Sequence, residues 1–183
     1  ESFEKYKQYP EYKKKHINIS LEGYKAIFYF EYGHRVLGRL IGLSFLVPFL
    51  YFFIRKKIKR QMAPRFIIMF ILGGLQGVLG WYMVKSGLVQ DPHVSQYRLT
   101  AHLGLALIIY AYILWVALGL FFQREKYIFQ SDSTNIKKSS IVLSLVVFIT
   151  ALSGGFVAGL KAGHAYNTFP LMNGQIIPDG LFS

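Results

Sequence analysis

A carboxylate, an imidazole and two guanidinium groups fall together in the stretch EYGHRVLGRLIG, as Glu31, His34, Arg35 and Arg39, at the head of a long apolar run. Ionisable groups at the edge of a lipid-facing span cost free energy to bury and persist where they are paired or used in chemistry. A second set, Arg98 and His102 of VSQYRLTAHL, stands at the head of another apolar run. His16, His93 and His164 lie in loops outside the apolar runs, where a solvated imidazole is the ordinary case, and no role is assigned to them.

His34 and His102 each carry a small residue four positions on, Gly38 and Ala106. Residues four apart share a helix face, so a flat macrocycle gripped between two imidazoles would find room one turn deeper. Haem suits such a gap, because helical bundles build cofactor sites from inward-facing side chains and paired histidines hold haem iron. Arg35, Arg39 and Arg98, expected near helix N-termini on one membrane face, would receive the propionates. Other uses remain open on the residues alone. The histidines could bond between helices or relay protons, Glu31 and Arg35 could be a surface ion pair at i, i+4 spacing, and Arg98 could be an interfacial anchor. A non-haem metal site is poorer, since the chain has no cysteine and Glu31 is the one carboxylate near the pair.

The elements that must position these groups are membrane helices. Of 183 residues, 53% are hydrophobic, and none of the nine acidic residues falls between Gly33 and Val89, which fits an all-α polytopic bundle. Four apolar spans are expected, from about Gly33 to Ile54 with Pro48 inside, Arg65 to Val84, Leu99 to Phe122 and Ser139 to Leu160. Each has the roughly 20 residues needed to cross a hydrocarbon core as a helix, and β-barrel alternation is missing. The first and third spans start on the same side, which gives the two histidines similar depth. Glycines at four-residue spacing, Gly38 and Gly42, Gly73 and Gly77, and Gly155, Gly159 and Gly163, are expected to let helices approach closely. Residues 1–32 are expected to form an outer-side segment with an interfacial helix in LEGYKAIFYF, 33–122 to hold three helices, 139–160 a fourth, and 161–183 an outer loop.

The formal net charge of +12 is concentrated between spans, which points to anionic lipid head groups and away from nucleic acid. The loop from Arg55 to Arg65 carries six Lys/Arg and that from Gln123 to Lys138 four, against two from Lys85 to Arg98, which puts the richer loops in the cytoplasm. Six lysines in the N-terminal segment, on the opposite side, work against that orientation. With no initiator Met and an end in a loop, the chain reads as a fragment.

Four blocks, EYGHRVLGRLIGLSFLVPF, GGLQGVLGWYMVKSGL, VSQYRLTAHL and GGFVAGLKAGHAYNTFPLM, together with the FEKYKQYPEY opening, resemble the haem A synthase family in its cysteine-free proteobacterial and mitochondrial subclass. The resemblance implies an eight-helix protein of two similar four-helix halves, of which this chain holds the second to fifth helices. It implies that His34 and His102 are axial ligands of the first-half haem, that Glu31 is the catalytic carboxylate, and that the reaction oxidises the C8 methyl of haem O to the formyl of haem A. The oxygen would come from water and the electrons would pass to a separate acceptor. It further implies a haem B in the second half, an inner-membrane location in a bacterium or mitochondrion, contact with haem O synthase and terminal oxidase assembly factors, and room for a homo-oligomer. A non-catalytic b-type cytochrome is the alternative that paired histidines support equally. A proton-relaying transporter is weaker, because Ser44 is the one polar residue from Leu40 to Phe53.

Overall fold

The computed structural model describes residues 2–87, 95–122, 133–165, 168 and 170–176, and His93 and the part 123–132 of the loop expected from Gln123 to Lys138 lie outside them. Seven helices follow in order: α1 (Ser2–Tyr6), α2 (Pro10–Lys15), α3 (Leu21–Ile54), α4 (Ala63–Gly87), α5 (Gln96–Phe121), α6 (Ser133–Gly159) and α7 (Ala162–Ala165). Among the described residues there is no β-strand, only one isolated bridge between Met172 and Gln175. Four of the helices, α3 to α6, are long and apolar enough to cross a membrane, as expected of a multi-pass membrane protein. Only Tyr24, Met69 and Val116 are buried among the described hydrophobic residues, so the apolar faces have to be covered by lipid or by further helices.

The chain forms two compact units. The first comprises residues 1–94 and 105–127, the second 95–104 and 128–183. In the first unit, Ser20 caps α3 by accepting the Gly23 amide at 3.1 Å, and Glu22 follows in the first turn. The helix then runs 34 residues, about 51 Å at 1.5 Å per residue, so roughly four turns exceed a 30 Å core. The interfacial helix expected at LEGYKAIFYF and the first span are therefore one unbroken helix. Pro48 sits inside it and withholds an amide from the Ser44 carbonyl, yet the helix continues to Ile54.

The N-terminal segment packs on the head of α3. Phe3 and Tyr6 each place a ring 5.0 Å from the Tyr24 ring, and Tyr12 stands edge-on to both. Tyr24, Phe28 and Tyr32, spaced by four, continue this ladder down one face of α3. At the other end, α3 closes in a Schellman motif. Lys57 N–H donates to the Phe52 carbonyl (2.9 Å), Lys56 N–H to that of Phe53 (3.0 Å), and Lys56 takes the left-handed conformation at φ 53° where glycine is usual. The start of α4 is fastened to α5 through Arg65, whose carbonyl accepts the Tyr112 hydroxyl at 3.4 Å and whose guanidinium lies 5.3 Å over the Trp115 ring.

In the second unit, the head of α5 meets α6 along small residues. A Cβ on Gly159 would stand 2.6 Å from Gln96 Cα, one on Gly155 2.9 Å from Thr100 Oγ1, and one on Gly104 3.0 Å from a Leu152 methyl. Gly155 and Gly159 do the close-packing work expected of them, and Gly104, which the spacing did not single out, joins them. Gly38, Gly42, Gly73, Gly77 and Gly163 do not, since no atom from beyond the local helix lies within 4 Å of a Cβ built on any of them. Past α7, Asn173 (φ 55°) and Gly174 (φ 84°) make the two-residue turn that pairs Met172 with Gln175.

Candidate functional site

Glu31, His34, Arg35 and Arg39 all stand on α3 with exposed side chains. Arg35 donates to Glu31 Oε2 at 3.3 Å across one turn, and both side chains are about half exposed (51% and 53%), a pair worth roughly 0.3–0.5 kcal/mol in such a setting. One bond to Glu31 leaves the Arg35 guanidinium further donors. Beside His34 and one turn deeper, the space around Gly38 is open, as it is another turn on at Gly42. A bulky flat ligand could lie along this face of α3 without displacing anything in the chain.

One expectation fails here. Because α3 begins at Leu21, His34 is its fourteenth residue, about 20 Å from the start, and Arg35 and Arg39 are deeper still. The helix dipole acts within the first turn, so it gives these two arginines no help in holding an anion. Apolar content alone marked the head of the run at Gly33, whereas the Ser20 cap and the aromatic ladder carry the helix three turns upstream.

The second unit holds Arg98 and His102, one turn apart on the same face of α5. Arg98 is in the first turn, where the dipole argument stands, and both side chains are partly buried. Thr100, only 5% exposed, marks the α6-facing side of α5 by its contact with Gly155. At 3.6 residues per turn, His102 and Arg98 lie roughly 160–200° around the helix from it and face away from α6. His34 belongs to the first unit and His102 to the second. Among the described residues no three His, Cys, Asp or Glu side chains gather as a metal site.

Two features escaped the sequence reading. His16, taken as solvated, shares a 2.6 Å hydrogen bond with the Tyr6 hydroxyl. Tyr6 itself is pushed up to about 12 by burial first, then by the negative charges of Glu11 and Glu31. The field of Glu31 thus reaches the N-terminal aromatic cluster. The tyrosines of YKQYPEY were the available signal, but aromatic content does not say which rings meet.

The family model for cytochrome oxidase assembly protein matches residues 1–183. The chain is 57% identical over 182 residues to Heme A synthase of Nitrosospira multiformis, with all of the chain and 51% of that protein covered. It is 50% identical to Heme A synthase of Nitrosomonas eutropha, covering 98% of the chain and 51% of the relative, and 46% identical to that of Parvibaculum lavamentivorans, covering 100% and 52%. The chain therefore spans about half the length of the curated relatives it matches. No solved structure is significantly similar to it. A family match over every residue, joined by identities of this order, establishes that the chain belongs to the cytochrome oxidase assembly protein family.

Proposed function

We infer that the chain carries three helices of the first haem-handling half of a haem A synthase together with the first helix of the second, and that His34 and His102 hold the iron of the haem O substrate while Glu31 serves its oxidation. The observation that carries this reading is the face of α3, where an exposed imidazole has a carboxylate three residues before it and an open glycine one turn deeper. A macrocycle needs that combination of a nitrogen ligand and an unfilled cradle. Arg35, Arg39 and Arg98 are the cations to meet the propionates.

Haem O supplies a ring methyl that loses electrons and gains water-derived oxygen on its way to a formyl group, with the electrons passing to a separate acceptor. Positive charge develops at that carbon, and Glu31 would stabilise it or take up a released proton. Its ion pair with Arg35 orients the carboxylate on the helix. Lateral entry from the bilayer suits a substrate with a long isoprenoid tail. A haem B whose second-half ligands lie outside this chain would relay electrons. The surroundings proposed are the inner membrane of a bacterium, or of a mitochondrion, with haem O synthase upstream, terminal oxidase assembly factors downstream, and a homo-oligomer as one arrangement.

The test uses the full-length protein. His34→Ala and His102→Ala are expected to abolish the low-spin spectrum of the first-half haem, and an unchanged spectrum would refute the ligand assignment. Glu31→Ala is expected to keep haem while haem O accumulates. A normal haem A yield from that variant removes Glu31 from the reaction, whereas failure of the purified full-length protein to turn haem O into haem A would leave an electron-carrying b-type cytochrome as the better description.

A further inference from the structure

At the end of α3 remote from His34, a groove of about 980 Å³ opens within the first unit. Its size is at the upper end for small-molecule pockets, far more than an ion needs. One wall is the last turns of α3, from Ser44 and Phe45 through Phe49 to Phe52, some 12 Å of helix at 1.5 Å per residue. Phe66 of α4 and Gly119 and Leu120 of α5 add to the apolar part, and Ile58 and Met62 border it from the connection between α3 and α4. Phe45, Phe49 and Phe66 form one ring cluster, with centroids 5.9 to 6.5 Å apart.

The other wall has opposite chemistry. The Schellman turn at Lys56 folds the chain back across the end of α3, so that Lys57, Lys59 and Gln61 line the groove beside Phe52. Both lysine side chains are exposed. Neither has a carboxylate within its own stretch of sequence, since none occurs between Gly33 and Val89; the nearest acidic residues after that are Asp91, Glu125 and Asp132. The groove is thus cationic at the helix end and aromatic two turns deeper.

We propose that this groove is a binding site for an anionic glycerophospholipid, its phosphate at Lys57 and Lys59 and an acyl chain laid along Phe45, Phe49 and Phe66. A free phosphate would use the lysines but leave the aromatic wall empty. A neutral lipid would use the wall but leave the lysines unmet. Only an anionic amphiphile meets both, and the polarity runs along α3 as a lipid's does along the membrane normal. Ordinary annular contact needs no cleft between three elements.

The full-length protein in detergent, equilibrated with equal phosphatidylglycerol and phosphatidylcholine, is examined by native mass spectrometry. One phosphatidylglycerol is expected to be retained in preference, and Lys57→Gln with Lys59→Gln to reduce its retention about tenfold or more. Lys137→Gln with Lys138→Gln, the same charge change on α6, is expected to leave retention intact. Gly119→Leu is the second arm. No atom lies within 4 Å of a Cβ there, so the side chain fills the groove without forcing the helices apart, and it too should lower retention with both lysines present. Equal loss in both lysine pairs, or full retention in Gly119→Leu, overturns the proposal and leaves general electrostatic attraction or a groove filled by another helix of the full protein. Displacement of the lipid by inorganic phosphate alone overturns it in favour of a free-anion site. Unchanged melting temperature and haem content in each variant exclude misfolding as the cause of a loss.

Discussion

The face of α6 that meets α5 and the face of α3 that carries His34 are both punctuated by glycines every fourth residue, and they are put to opposite uses. On α6, Gly155 and Gly159 are pressed against Thr100 and Gln96 so closely that a methyl group would collide with side chain or backbone. On α3, Gly38 and Gly42 look onto empty space, beside an exposed imidazole and an ion pair. The same spacing therefore marks a finished contact in one place and a reserved one in the other. Only the neighbours across the gap distinguish them.

The largest effect should come from closing the finished contact. Gly159→Ala puts a Cβ 2.6 Å from Gln96 Cα and Cβ, where backbone must shift, and is expected to destabilise the full-length protein by about 3 kcal/mol in reversible unfolding. Gly42→Ala is the matched control. It meets nothing and should be neutral or stabilising by up to about 1 kcal/mol through helix propensity. Equal losses in the two would erase the distinction between the faces.

Next in size is the reserved face. Gly38→Leu is expected to leave unfolding unchanged but to lower first-half haem content about tenfold, since the leucine takes the place proposed for the ring. Full haem content in this variant would mean that the open face serves something else.

Smaller still is the packed patch that α3 does possess, its aromatic head. Tyr6 is held neutral up to about 12, by burial and then by Glu11 and Glu31. Its folded value lies above the ordinary value of about 10, so its contribution is complete below pH 10 and is lost as pH rises through 12. Near-ultraviolet circular dichroism of the full-length protein should show the N-terminal helices loosening in that window, and Tyr6→Phe should remove the step. The least effect is expected from Lys56→Gly, which relieves a left-handed residue and should stabilise by up to about 1 kcal/mol.

Hydropathy alone made the four spans legible, because a run such as Leu99 to Phe121 leaves a helix no other environment. It misjudged where α3 begins, since what extends that helix is a serine cap and the packing of the Phe3 ring on Tyr24, and neither is apolar length. For the candidate site, spacing anticipated that Glu31 and Arg35 would pair across one turn. It did not reveal that Gly155 closes on Thr100 while Gly38 closes on nothing, because that depends on which helix arrives opposite. Nor did it show that Tyr6 would find His16, a pairing ten residues apart that needs the chain to double back.

From Tyr24 to His34 the backbone of α3 is one uninterrupted rod, about 15 Å long at the helical rise. With no joint between them, a tilt imposed on the aromatic collar must swing the imidazole by a proportionate arc. The aromatic collar thereby gains mechanical leverage over the place where iron is proposed to sit.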